Sequence, residues 1–552
     1  MIKENISSSG TIILGILILV MVPLLYLPIG ELLTRCLVGP NGEFVGLKNF
    51  IAFFSTPGLS TAAINTLTVG LTVTFITLML AFIIAYGLSR TNMPCKKIIG
   101  SMAMLPALVP SLLPALGLVY LFGEQSPLKA LLCGYSLYGP IGIILGEVVF
   151  ALPHAVILLR IALESIDQNQ YIAAASLGAG PIRRFFTITV PNAQYGIISS
   201  AVAIFILTIT DFGVPKVVGG SFSMLATEIY ILVIGQHNFA VGSATSLILL
   251  IPTILAVGID LWARSRQKNL STKRSQFCPE PYKGRDAFFV FGSLAVELPI
   301  MATIGMVVLA SFVSFWPYDL SLGLGNYDFE SIGFSWNPIL NSLQIAGATA
   351  FFGSMAVIFG TYAMERLPAF WIEKALYRLS IMLPLGLPGT TLGIAYLFAF
   401  SRVEMPLSFL YGTSALLVMN CIVHFSTITH MTAINAFTKI DPNYEIVGRS
   451  LGKSNLYTFF RVVAPISRAA FLDIFYYFFI SAMSTVSAVV FLCSGDLMLA
   501  SVGIIAMNDS GNLGQAAAMG SLILAITLIA SLLHSILRAK FCLWRNIKGG
   551  MA

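Results

Sequence analysis

Charge is scarce in this sequence: 10% of its 552 residues are Asp, Glu, Lys or Arg, whereas a soluble domain carries roughly a quarter. That shortfall excludes an ordinary globular protein, which could not solvate a surface of this size with so few ionic groups. No run of Lys and Arg interleaved with aromatics is present, so the formal net charge of +7 is not a nucleic-acid footprint, and no nucleic-acid partner is expected. Cysteine is sparse as well. Cys36, Cys95, Cys133, Cys278, Cys421, Cys493 and Cys542 are scattered without a C-x-x-C pair, which argues against a zinc site or a disulfide framework. What is abundant is apolar: 57% of the chain is hydrophobic and the mean hydropathy is +0.88. A bilayer reconciles these numbers, because lipid-facing side chains need no charge.

A membrane span needs about 20 mostly apolar residues. On that rule the first half offers spans near 11–33, 61–88, 98–122, 137–160, 192–218 and 241–262. The second half offers spans near 287–315, 338–364, 375–400, 410–434, 466–493 and 514–538. The first lacks a small-residue cleavage site and is read as a retained helix rather than a signal peptide. Arg264, Arg266, Lys268, Lys273, Arg274, Lys283 and Arg285 crowd the 263–286 linker, and Arg90, Lys96, Lys97, Arg366, Lys374, Arg538, Lys540, Arg545 and Lys548 fall on the same side of a twelve-span arrangement. Asp319, Asp328, Glu330, Asp496 and Asp509 fall on the other. The positive-inside rule then predicts cytoplasmic termini and a cytoplasmic linker.

The halves repeat. Asn65-Thr66-Leu67 answers Asn341-Ser342-Leu343, and Leu116-Gly117-Leu118-Val119-Tyr120-Leu121-Phe122 answers Leu392-Gly393-Ile394-Ala395-Tyr396-Leu397-Phe398, both at one and the same offset along the chain; Pro106 and Pro110 answer Pro384 and Pro388. An even number of spans per half makes the repeats parallel, related by an axis along the membrane normal on which a pathway would lie. The expected organisation is residues 1–262 as the first repeat, 263–286 as a linker and 287–552 as the second repeat, in an all-α integral membrane protein of about twelve spans.

The most informative repeat is polar. Ile166-Asp167 leads through Ala173-Ala174-Ala175-Ser176-Leu177-Gly178-Ala179-Gly180-Pro181 to Phe185-Phe186 and Pro191. Ile440-Asp441 leads through Glu445, Ser450-Leu451-Gly452-Lys453-Ser454 and Phe459-Phe460 to Pro465. Asp, Gly, Phe-Phe and Pro recur at a constant offset, so the spacing from Gly to Pro is identical in the two loops. Ala173 to Leu177 favours helix, Gly178 can stop it with positive φ, Pro181 suits the first turn of a new helix, and Ser454 can cap its counterpart. The expected form is a short helix, a sharp turn and a second short helix across the membrane surface, with Pro191 and Pro465 starting the next span. Gly452-Lys453-Ser454 imitates the end of a P-loop, but Val447 stands where the first glycine belongs and no strand precedes it, so nucleotide binding is rejected.

These two loops resemble the EAA loop of ABC importer permeases, in which Glu-Ala-Ala is followed by a Gly and then, at the spacing seen here, by a Pro. The resemblance spans nearly the whole chain, twice. It departs at the glutamate, which is Ile172 in the first loop and Ile446 in the second, with Glu445 one place early; Ala173-Ala174 fits, whereas Val447-Gly448 does not. It implies a MetI-like fold of the type I importer kind, in which Ala173, Ala174, Gly178, Ala179, Pro191, Glu445, Gly452 and Pro465 belong to loops gripped by a cytoplasmic ABC ATPase homodimer. An extracytoplasmic substrate-binding protein is the further partner. The chain itself would be no enzyme and bind no cofactor or metal, with ATP and Mg used by the ATPase. Asp211-Phe212-Gly213-Val214-Pro215, Gly219-Gly220 and Glu228-Ile229-Tyr230 resemble fused permeases of ferric-iron, thiamine and phosphonate importers. Ala482 to Leu492, with Leu499-Ala500-Ser501-Val502 and Met507 to Gly511, looks most like 2-aminoethylphosphonate permeases, so the resemblance implies a phosphonate cargo, with ferric iron or thiamine as the alternative.

Intramembrane polar residues mark pathways or bundle packing. Glu147 and Asn420 lie near mid-bilayer, Asp211 near the outer end of the fifth span and Thr485 in the eleventh; the four are candidate pathway residues. His154, His424 and His430 lack metal spacing and read as satisfied bundle histidines. A gradient-driven secondary transporter with two six-helix halves would carry a Gly-Asp-Arg motif after the second span, where Ser89-Arg90-Thr91-Asn92-Met93-Pro94 stands instead. A membrane-embedded enzyme would need a catalytic set that no loop supplies.

Overall fold

The computed structural model describes residues 8–39, 42–266, 282–402, 404–405, 407–495 and 497–549. Most of the 263–286 linker, together with Lys3, Asp496, Cys278 and the side chains of Cys542, Arg545 and Lys548, lies outside the described residues. Among the described residues ten helices are long and apolar enough to cross a membrane, and two further pairs qualify only if each bent pair is one span. The Pro57–Arg90 helix shows what such a span needs. Ile64, Leu67, Leu71, Phe75 and Met79 form an exposed apolar stripe at helical spacing, while Ala62, Thr66, Val69, Val73, Thr77 and Ala81 are buried. An apolar stripe open to water would be a liability; open to lipid it is the ordinary state.

The bent pairs correct the expected third and ninth spans. Lys96–Leu108 and Leu112–Phe122 meet at 102°, and Trp371–Gly386 and Gly389–Phe400 at 115°. The cause is proline. A residue before proline is driven out of the helical region, and Val109 before Pro110 (φ −121°, ψ 151°) and Leu387 before Pro388 (φ −94°, ψ 114°) are extended. The bends still return the chain across the membrane. Arg90, the last residue of Pro57–Arg90, donates to carbonyls at the end of the Pro140–Glu164 helix, so these two packed helices run in the same direction. The pair between them must therefore travel the other way. Arg366 makes the same connection between Asn337–Arg366 and Ser414–Phe437. Each bent pair is one crossing, and the count among the described residues is twelve.

The fifth and eleventh expected spans end early. The helix expected over 192–218 stops at Thr210, because Asp211 turns extended (φ −69°, ψ 138°). The one expected over 466–493 stops at Ser484, with Thr485 in the same conformation (φ −70°, ψ 139°). Short helices Gly213–Val218 and Leu225–Tyr230 follow the first break, and Ala500–Asp509 follows the second. A two-strand hairpin pairs Val313–Phe315 with Asp319–Leu322.

Packing does not follow the sequence halves. One compact unit comprises Met1–Gly46, Gly333–Gly503 and Leu522–Ala552; the other comprises Leu47–Ile332 and Ile504–Ser521. Each unit thus contains the first span of the opposite sequence half. Within the second unit, Gly117 brings the Leu112–Phe122 helix against the backbone of Thr303 in the Lys283–Phe312 helix, where a Cβ would collide with the Thr303 carbonyl. Within the first, the Tyr396 hydroxyl donates to the Leu24 carbonyl at 2.6 Å. That carbonyl needs a donor, because its helical partner one turn on is Pro28, which has no N–H. A π turn, Val22–Tyr26, carries the helix past these prolines.

Candidate functional site

The two polar loops fold alike. Asp167 accepts from the Asn169 N–H (3.0 Å) and opens the helix Gln168–Ser176; Asp441 accepts from the Asn443 N–H (2.9 Å) and opens Asn443–Ser450. Both helices end in a left-handed glycine, Gly178 at φ +75° and Gly452 at φ +69°. The Gly178 N–H reaches Ala175 O and the Ala179 N–H reaches Ala174 O, each at 2.9 Å; Gly452 reaches Arg449 O (3.0 Å) and Lys453 reaches Gly448 O (2.9 Å). These paired bonds are a Schellman ending, which satisfies carbonyls the helix leaves open. Ser454 accepts from the Tyr457 N–H at 3.2 Å. Lys453 and Ser454 therefore serve helix ends, which explains the P-loop imitation.

The second short helix of each loop is not a separate surface element. Pro181–Arg184 runs through a π turn, Phe185–Thr189, into Val190–Thr210, and Asn455–Thr458 runs through Phe459–Val463 into Ala464–Ser484. Pro191 and Pro465 sit in the first turn after each π turn, where the missing N–H is accommodated by the wider ring.

The loop helices are open to their surroundings. The first buries no residue and the second buries only Glu445. Leu177, Ile182 and Phe186 in the first loop, and Ile446, Val447, Leu451 and Phe460 in the second, are exposed. Ala173, Gly178, Pro191, Gly452 and Pro465 are also exposed, with Ala174 and Ala179 half-buried. Glu445 departs from expectation. It turns inward, 4% exposed, with its Oε2 3.6 Å from Arg366, so it belongs to the loop's root rather than to its outer face. The lost alanine signature of the second loop also gains a cause: a Cβ at Gly448 would strike Thr458 Oγ1.

The polar pathway candidates separate into two sets. Glu147 is fully buried and its carboxyl adjoins that of Asp211. Asp211, half-buried, accepts from the Val214 N–H at 2.8 Å and from Ser111, which ties the span break to the bent pair. In the other half, Asn420 donates to Ala488 O at 2.6 Å, and the Thr485 carbonyl accepts from Ser501 at 2.6 Å. Those two residues hold the chain after the Ser484 break. At the offset that relates the two loops, Cys421 and Thr485 stand where Glu147 and Asp211 stand in the first half, so the carboxyl pair has no counterpart. Of the histidines, His430 bonds Tyr377 and Ser426 O, both at 2.8 Å.

Twelve crossings, a doubled six-span plan and two matching helix–glycine–helix loops define a polytopic membrane protein of two related halves. Residues 77–268 match the family of binding-protein-dependent transport system inner membrane components. The ferric transport system permease protein FbpB of Actinobacillus pleuropneumoniae is 28% identical over 446 residues, 77% of this chain and 63% of that protein. PhnU of Salmonella typhimurium, a permease provisionally assigned to 2-aminoethylphosphonate transport, is 26% identical over 252 residues, 44% of this chain and 87% of that protein. The molybdenum transport system permease protein ModB of Azotobacter vinelandii is 32% identical over 142 residues, 25% of this chain and 63% of that protein. Residues 77–268 are thus similar to importer inner membrane components, and the chain spans a little under two thirds of the ferric relative's length.

Proposed function

We propose that this chain is the transmembrane permease subunit of an ATP-driven importer, taking a small solute from an extracytoplasmic binding protein and opening its pathway in response to a cytoplasmic ABC ATPase homodimer that uses ATP and Mg. The observation that carries this reading is the pair of loops. Each offers an exposed apolar edge on a short helix that a left-handed glycine turn joins to a membrane span, the form of a knob for a cleft on a soluble partner. Both termini lie in the cytoplasm on this reading, which the placement of the basic residues supports.

For the cargo, ferric iron is favoured over 2-aminoethylphosphonate. The ferric relative matches far more of the chain, and the adjoining Glu147 and Asp211 carboxyls offer oxygen donors of the kind a hard cation takes. The phosphonate reading keeps the support of residues 482–511. Uptake of radiolabelled ferric iron and of radiolabelled 2-aminoethylphosphonate into cells expressing the chain, its binding protein and its ATPase subunit separates these. Iron uptake that disappears without the ATPase subunit, and falls several-fold in Glu147→Gln, is the expected result. Phosphonate uptake alone would reverse the cargo assignment; uptake that persists without any ATPase would replace the importer by a gradient-driven transporter.

A further inference from the structure

Two arginines at corresponding positions of the repeat make the same set of contacts at the root of each loop. Arg90 ends the Pro57–Arg90 helix and is 2% exposed. It donates to the carbonyls of Leu163 and, at 3.3 Å, Ile166. Arg366 ends the Asn337–Arg366 helix and donates to the carbonyls of Phe437 and Ile440, which match Leu163 and Ile166 at the offset of the loops. These are acceptors that a helix leaves open at its C-terminus, where the dipole also favours a cation. The same guanidinium then meets the loop helix. Arg90 lies over the Tyr171 ring, 5.0 Å from its centre. Arg366 lies 3.6 Å from the Glu445 carboxylate, and Glu445 matches Tyr171 at that same offset. One buried cation therefore joins three elements in each unit: a long span, the span before the loop, and the first turn of the loop helix.

The loop helices bury little of their own surface. The first buries no residue and the second buries only the residue that meets the arginine. Tyr171 adds a 2.7 Å bond to Thr189, and Gln170 one of 2.9 Å to Asn192, both to the span that follows. The arginine ties the first helix of the loop to the end of the span preceding the bent pair, while the second part of the loop reaches that span through Phe185 against Phe82 and Tyr86, and through Asn455, Phe459 and Phe460 against Phe359 and Tyr362.

We propose that Arg90 and Arg366 are positioning residues that make each loop helix and the end of its long span move as one body, so that displacement of the loop is delivered to the Pro57–Arg90 and Asn337–Arg366 helices. This rests on the reading of the loops as ATPase contacts. The two linkages are chemically unequal. The first is a guanidinium on an aromatic face and tolerates any residue with that face. The second is an ion pair and depends on the charge of Glu445.

The test uses the full chain with its ATPase subunit and binding protein in lipid nanodiscs. It measures retention of the ATPase, the KM for ATP, and the ratio of hydrolysis with the binding protein to hydrolysis without it. Arg90→Gln and Arg366→Gln are expected to keep the ATPase bound and the KM unchanged while lowering the ratio by about fivefold or more, the usual scale of coupling between sites. Tyr171→Leu and Glu445→Gln leave the helix-end carbonyls capped and are expected to lower the ratio in the same way, whereas Tyr171→Phe keeps it. If Tyr171→Leu and Glu445→Gln keep the full ratio, the arginines are helix caps alone and the proposal is overturned, whether or not the arginine variants fold. If the unaltered chain binds no ATPase subunit, the functional reading itself fails, a result distinct from either.

Discussion

One backbone angle ends each loop helix. At Gly178 and Gly452 φ is +75° and +69°, and nothing lies within 4 Å of where a Cβ would stand. Substitution there costs strain without collision, roughly 1–2 kcal/mol for a residue forced left-handed. Gly178→Ala and Gly452→Ala are expected to speed amide hydrogen exchange over 173–179 and 447–453, with Gly→Asn milder because asparagine tolerates that region. Gly448 is the opposite case, an ordinary backbone with Thr458 against it, so Gly448→Ala should disturb the turn by contact. The left-handed Gly178 was legible in the sequence, because helix-forming residues led up to it and a proline followed; Gly452 was legible only through the constant offset and spacing that pair it with Gly178. Gly448 was not, since it breaks the alanine pattern and its reason lies across the turn, at Thr458. Nor was the inward turn of Glu445, which depends on Arg366, a partner from a span much earlier in the chain.

Elements broken by proline need donors from outside themselves. Pro28 deprives the Leu24 carbonyl of its helical partner, and Tyr396 supplies the donor from the Gly389–Phe400 helix. Tyr396→Phe leaves that carbonyl buried and unpaired, at a cost of about 1–3 kcal/mol. A lower unfolding midpoint in detergent, absent from Tyr411→Phe at an exposed loop position, is the expected measurement. The prolines at 106, 110, 384 and 388 were plain in the sequence; the bends of 102° and 115° were not. Hydropathy counts apolar residues along a window and is blind to the extended conformation that one X-Pro step imposes. The same blindness carried the expected fifth and eleventh spans past Asp211 and Thr485, where the helix stops inside an apolar run.

At the scale of the molecule, the repeat and the composition of the packing units are different facts. The repeat was legible because it is written in residue identities. Which helices share a core was not, because in a bilayer the lipid face and the packed face are both apolar. The consequence is testable with the chain's own thiols. Cys421 is buried in the unit that includes Met1–Gly46, while Cys95 is exposed. Deleting residues 8–36 removes the helix on which Gly389–Phe400 packs. Maleimide labelling of Cys421 in membranes is expected to rise towards that of Cys95, which serves as the internal standard. Unchanged protection would mean that the first span contributes nothing to the core formed by the second half.

The π turns at Phe185–Thr189 and Phe459–Val463 have a further meaning. A π turn adds one residue to the helical period, and one residue corresponds to about 100° of rotation about the axis. A helical wheel drawn straight through either turn therefore assigns the loop to the wrong azimuth. The compass bearing of each exposed knob is set by a single inserted residue, in the same place in both halves. Insertions and deletions of one residue there would steer the knob around its span while leaving every substitution-sensitive contact at the loop itself untouched.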